Sequence, residues 1–190
     1  PRVHCSGRGM SSLYIVAIIL LGFGLRVVDL ENQVHLFVDE MHFSNGIAHL
    51  WDDTNTPLLT PINYIASFPW LYPHMQRFSV EVFGATLTGL RVVSVVFGTL
   101  TIPAVYLLGR ALISRPTGLL AALLLAVFPP HIHFSRLAMN NIADPFFGTL
   151  ALATFAAGLR WGNRCGFVVA GITLGLTQYF YEGGRLVYPA

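Results

Sequence analysis

The sequence predicts an all-α integral membrane protein, with about five transmembrane helices and two interfacial helices in a long first outer loop. Three observations predict it. Of 190 residues, 54% are hydrophobic and only 11% charged, where a soluble domain carries about 25% charged residues. The apolar residues gather in runs of the length a bilayer requires, about 17–25 residues per helical span. The acids gather in alternate connections between those runs.

The composition excludes a disordered chain, a nucleic-acid binder and an ordinary cytosolic enzyme. A formal charge of +2 is too small and too scattered to serve as a polyanion footprint. Cys5 and Cys165 match no metal or redox spacing.

The first span runs from Ser12 to Val28, with Ser11 or Ser12 as N-cap, after a cytoplasmic tail of residues 1–11. The second covers Leu87 to Leu112, the third Thr117 to Pro130, the fourth Ile142 to Leu159 and the fifth Gly166 to Tyr181. The third and fifth are short, so their ends lie near the interface or under neighbouring helices. No small-residue cleavage site follows the first span, which reads as a retained anchor and not a signal peptide.

Arg2 and Arg8 precede the first span, Arg110 and Arg115 lie between the second and third, and Arg160 and Arg164 between the fourth and fifth. The alternate connections hold the acids: Asp29, Glu31, Asp39, Glu40, Asp52, Asp53, Glu81, Asp144 and Glu182. The positive-inside rule then places the N-terminus in the cytoplasm and the acidic loops outside. No disulfide is expected, because both cysteines fall on the reducing side.

Residues 29–85 are too long for a passive connection and too apolar for disorder. Val38 to Trp51 can form an amphipathic helix. Ile62 to Phe83 can form another, interrupted by Pro69 and Pro73; both are expected to lie along the outer interface. Asp39 and Glu40 stand at the head of the first. Adjacent helical residues point about 100° apart, so the two carboxylates cannot serve the same role. One can face a cavity while the other caps the helix or pairs with an Arg. Complementarity to the helix dipole alone would also account for them. His35, Asp39 and His42 share a helical face at i, i+4 and i+7, a loose set of donors for a divalent metal.

Beyond the third span, Arg136 must pair or reach water. Its fork suits a phosphate or carboxylate, and snorkelling to headgroups is an equal alternative. Asn140 or Asn141 can cap the fourth span, with Asp144 complementing its dipole. Glu182 and Arg185 flank a Gly-Gly turn and can pair with each other. Gly171 and Gly175 form a GxxxG, a weak signal of close helix packing.

The ordered features carry a resemblance: the outer Asp-Glu, then "GLRVVSVVFGTLTIPAVYLLGRAL", "GLLAALLLAVFPPHIHFSRLAMNNIADPFFGTLAL" and "GLTQYFYEGGRL". From about Leu13 to Tyr188 the chain resembles the N-terminal portion of a GT-C glycosyltransferase of the protein O-mannosyltransferase type, the group that includes bacterial aminoarabinose-to-lipid A transferases. The resemblance implies a multi-pass protein of the bacterial plasma membrane and a polyprenyl- or dolichyl-phosphate-linked sugar as donor. It also implies an inverting transfer to a protein or lipid hydroxyl on the outer face. On it, Asp39 is the general base and Glu40 orients the acceptor or the base. Arg136 steadies the leaving phosphate, while His42, Glu182 and Arg185 contact substrate. No cofactor is expected to be essential, because a phosphate leaves readily and cationic stabilisation can replace a general acid.

Such transferases run to roughly a dozen spans, so the chain reads as residues 1–190 of a longer transmembrane domain. The alternative is a non-catalytic transmembrane subunit packing in a larger membrane complex. A transporter would want ionisable groups at mid-membrane, whereas Arg26, Arg91 and Asp144 lie near span ends.

Overall fold

The computed structural model describes residues 6–32, 35, 38–41, 44, 47, 71–181 and 183, with residues 6–10 described for their backbone only. Every regular element among them is helical. Helix α1 (Ser6–Val27) is followed by helical residues at 38–41, 44 and 47, and then by α2 (Leu71–Phe83) and α3 (Leu87–Leu112). Next come α4 (Arg115–Ala126), α5 (Pro129–Ser135), a 3-10 turn (Asn140–Ile142), α6 (Ala143–Trp161) and α7 (Arg164–Thr177).

Local chemistry sets these boundaries. Thr86 caps α3 by accepting from the Gly89 amide at 3.2 Å. Ser114 caps α4 with Pro116 in its first turn, where a missing N–H costs nothing. Gly162 ends α6 at φ +65°, a left-handed position that suits glycine. Asn163 caps α7 through the Cys165 amide at 3.0 Å.

Helix α3 is the hub, packing against α1, α2, α4, α5 and α6, while α7 packs on α6. At 26 residues it is about 39 Å long, more than the hydrocarbon thickness of about 30 Å. Leu87–Leu112 and Asn140–Trp161 are long and apolar enough to cross a membrane unaided. The described parts of α1 and α7, Ser11–Val27 and Arg164–Thr177, are shorter apolar helices.

Three expectations change. The third span is not one helix: α4 ends at Ala126, and α5 departs at 62°, because Pro129-Pro130 can start a helix but cannot continue one. Ser11 and Ser12 lie within α1 and do not cap it; nothing between Ser6 and Ser12 stops helical hydrogen bonding. Neither Asn140 nor Asn141 caps α6, whose N-cap position is Ile142 without a side-chain bond. The Asn140 amide instead donates to the Phe180 carbonyl at 2.7 Å. Of the segment Ile62–Phe83 the part from Leu71 is helical; the rest of it, and much of Val38–Trp51, fall outside the described residues.

The core is split by depth. At the end carrying the acids, Phe97 of α3 meets Phe146, Phe147 and Phe180 at ring distances of 5.7, 5.5 and 5.4 Å. Tyr72, Val93 and Ile142 complete that cluster. Ile102, Ala122 and Ala126 pack under Ile15, Ile18 and Ile19 of α1. At the opposite end the buried residues between α3 and α6 are small, Ala111, Ala156 and Ala157, with Leu107 and Leu108 packed against them. Outward-facing Leu13, Leu20, Leu120 and Ile172 stay more than half exposed, as a surface facing lipid requires.

Candidate functional site

The polar residues of the acidic end assemble around one buried ion pair. Arg91, in the second turn of α3, meets Glu40 in a bidentate fork: Nε donates to Oε1 and Nη2 to Oε2, both at 2.8 Å. Both side chains have no exposed surface. The third arm, Nη1, donates to the Leu30 carbonyl at 2.6 Å. Glu40 Oε1 also accepts the Ala138 amide at 2.7 Å. The ion pair thus joins the loop after α1, the helical segment at 38–41, α3 and the loop before α6. Such a pair offsets its desolvation only through this fork and the added bonds.

The 100° step between neighbours then decides the fate of Asp39. With Glu40 turned fully inward, Asp39 is exposed. The two acids take separate roles, and it is Glu40 that pairs with an Arg. His35 is also exposed, whereas His42 lies outside the described residues. Among the described residues no three His, Cys, Asp or Glu side chains come together as metal donors. With His42 outside the described residues, the set His35, Asp39 and His42 stays an expectation from the sequence.

Arg136 is turned inward. Its Nη1 donates to the Leu25 carbonyl at 3.2 Å, and its Nη2 donates to those of Val28 and Asp29 at 2.6 and 2.8 Å. These carbonyls end α1 and have no helical partner of their own. Burial lowers the Arg136 pKa from its ordinary value, while the Asp29 charge opposes that shift; the guanidinium remains a cation. Arg26 acts in parallel one turn deeper. It is fully buried and donates to Ser135 Oγ, the carbonyls of Gly22, Leu125 and Ala126, and His131 Nδ1. All five of its donors are used, on no carboxylate.

The bond to Arg26 also fixes the His131 tautomer. Because an arginine can only donate, Nδ1 must accept and Nε2 must carry the proton. That Nε2 and Asn141 Oδ1 are buried without a hydrogen-bond partner among the described residues. Both residues line a recess of about 140 Å³ with Phe134, Ile142 and Pro145, which presents one donor and one acceptor and no charge.

Asp144 is nearly buried in the first turn of α6. The turn after α7 folds back beside it, because the Tyr179 carbonyl accepts from the Leu71 amide and that of Phe180 from Asn140. A Cβ on Gly183 would lie 3.2 Å from Asp144 Oδ2. Glu182 and Arg185, close to that glycine in sequence, lie outside the described residues. Burial raises the pKa of the Tyr72 phenol, its hydrogen bond to Ser94 opposes the rise, and the Glu40 charge adds to it; Tyr72 stays a neutral hydroxyl.

Arg26 and Arg91 had no assigned role in the sequence. The signal was there: a lone Arg at the end of an apolar run is costly unless it has partners. Gly22 apart, their partners lie 51 to 109 positions away, beyond what spacing can reveal.

Residues 67–190 match the family described as dolichyl-phosphate-mannose-protein mannosyltransferase. No curated protein matches the chain. In shape the chain is similar to the Archaeoglobus fulgidus oligosaccharyltransferase. The apo form has a TM-score of 0.75 at 22% identity, over 96% of this chain and 25% of that one. The complex with Zn and sulfate gives 0.73 at 24%, over 93% and 26%. The form tethered to an acceptor peptide containing the NVT sequon gives 0.72 at 18%, over 96% and 25%. The chain therefore spans about a quarter of that protein's length. The shared architecture is the GT-C membrane fold.

Proposed function

Because the chain belongs to the dolichyl-phosphate-mannose-protein mannosyltransferase family, we propose that it forms part of a membrane glycosyltransferase that moves a sugar from a polyprenyl- or dolichyl-phosphate carrier to a protein or lipid hydroxyl on the outer face. The observation that carries this reading is the division of labour at 39–40: one acid buried in a fork with Arg91, its neighbour exposed.

In the proposed step, Asp39 takes the proton of the acceptor hydroxyl while that oxygen bonds to the anomeric carbon. The carbon–oxygen bond to the phosphate breaks from the opposite side, inverting the centre and releasing a polyprenyl phosphate. A single base suffices for such an inversion. Glu40 is a positioning residue, since its carboxylate is committed to Arg91 and Ala138. Arg136 positions the same junction through the end of α1. His42, Glu182 and Arg185 are proposed to contact the substrate. A scaffold role draws support from the inward commitment of Glu40 and Arg136, but leaves the exposure of Asp39 without a use.

The test is transfer by the full-length protein in nanodiscs, with a synthetic polyprenyl-phosphate hexose of known anomeric configuration. A product of the opposite configuration is expected, and Asp39→Asn should slow the reaction by about 10²-fold or more. No transfer from any such hexose, or full activity in Asp39→Asn, would overturn the assignment.

A further inference from the structure

At the end of the bundle opposite the acids, α3 and α6 leave a groove of about 510 Å³ open to the surroundings, within the size range of small-molecule sites. Its floor is Ala111 and Ala156, its walls include Leu112, Leu152 and Phe155, and Arg160 stands at its rim. The walls are more exposed than a core would allow: Leu112 is 64% and Leu152 54% exposed.

The charge at this end has one sign. Arg110, Arg115, Arg160 and Arg164 all sit there, at the C-termini of α3 and α6 and the N-termini of α4 and α7. Two helix ends of each polarity largely cancel, so the four guanidiniums set the field. None pairs with a carboxylate among the described residues. Arg160 is held over the groove because its Nη1 donates to the Ala111 and Ile113 carbonyls at 2.8 and 3.2 Å. Its Nε and Nη2 remain without a partner among the described residues. Arg110 lies 5.1 Å from the Trp161 ring centre, which fixes a second cation beside the rim.

We infer that this groove holds an anionic phospholipid of the adjoining leaflet, one acyl chain against Leu112, Leu152 and Phe155 and the headgroup phosphate against Arg160 and Arg110. A phospholipid supplies both halves of what the surface lacks, an apolar chain and an anion, in one molecule. An apolar helix or a second copy of the chain would fill the groove and leave the arginines without counter-charge. The inference rests on the groove and its rim, and is independent of the proposed chemistry.

The test is native mass spectrometry of the full-length protein equilibrated with equal phosphatidylglycerol and phosphatidylcholine. Retained lipid should favour phosphatidylglycerol at least tenfold. Arg160→Gln should remove most of that preference, and Ala156→Phe, which fills the floor, should abolish retention. A measurement on unaltered protein guards against misfolded variants: brominated phosphatidylglycerol should quench tryptophan emission more than brominated phosphatidylcholine, with the excess lost in Trp161→Phe. Equal retention of the two lipids, equal quenching, displacement by polyprenyl phosphate, or a cross-link from Leu152→Cys to another protein segment would each overturn the inference.

Discussion

Arg26, Arg91, Arg136 and Arg160 each donate to main-chain carbonyls that end a helix or follow one. In or near a bilayer such carbonyls have no water to turn to, and a guanidinium carries five donors where an ammonium carries three. This accounts for arginine and not lysine at these four positions. The Glu40–Arg91 fork is the most exposed to failure, because removing one partner strands a buried charge at a cost of about 3–5 kcal/mol. Glu40→Gln or Arg91→Met should each lower unfolding free energy by that order in detergent. The double change Glu40→Leu with Arg91→Met should recover part of the loss. Single changes costing under about 1 kcal/mol would mean that the fork does not anchor the loop.

At the scale of elements, glycines set how closely helices approach. A Cβ on Gly109 would sit 2.8 Å from the Gly118 Cα, and one on Gly166 would sit 2.7 Å from the Thr154 carbonyl. These bring α3 against α4 and α6 against α7. The GxxxG visible in the sequence is not among them: Cβ atoms on Gly171 and Gly175 would meet nothing within 4 Å among the described residues. Gly166→Leu should therefore destabilise the α6–α7 pair by about 1–3 kcal/mol, whereas Gly171→Ala should be neutral or stabilising by up to about 1 kcal/mol. Thermal unfolding in detergent separates them, and equal effects would contradict this packing. The second span was legible as an uninterrupted apolar run, Leu87 to Leu112, with the bounds observed, and the fourth was legible to within two residues of Ala143–Trp161. The bend after α4 was not, since an apolar count runs straight through Val127 and Phe128 to the prolines. In the site, the splitting of Asp39 from Glu40 followed from helical geometry alone. The inward turn of Arg136 did not, because its three carbonyl partners lie more than 100 positions earlier.

Across the whole molecule, charge sorts by end. Among the described residues the acids Asp29, Glu31, Asp39, Glu40, Glu81 and Asp144 belong to one end of the bundle. Arg110, Arg115, Arg160 and Arg164 belong to the other. The proposed chemistry requires the acidic end to face outward, since Asp39 must meet acceptors there. Two single-cysteine forms of the full-length protein test this most directly with a membrane-impermeant maleimide on intact cells. Met41→Cys, placed where Met41 is 52% exposed, should label at once when every native cysteine of the full-length protein is replaced by serine. Native Cys165, itself exposed, should label only after the membrane is opened when every other native cysteine is replaced. Labelling of Cys165 in intact cells with Met41→Cys protected would reverse the protein in its membrane and remove Asp39 from the outer face.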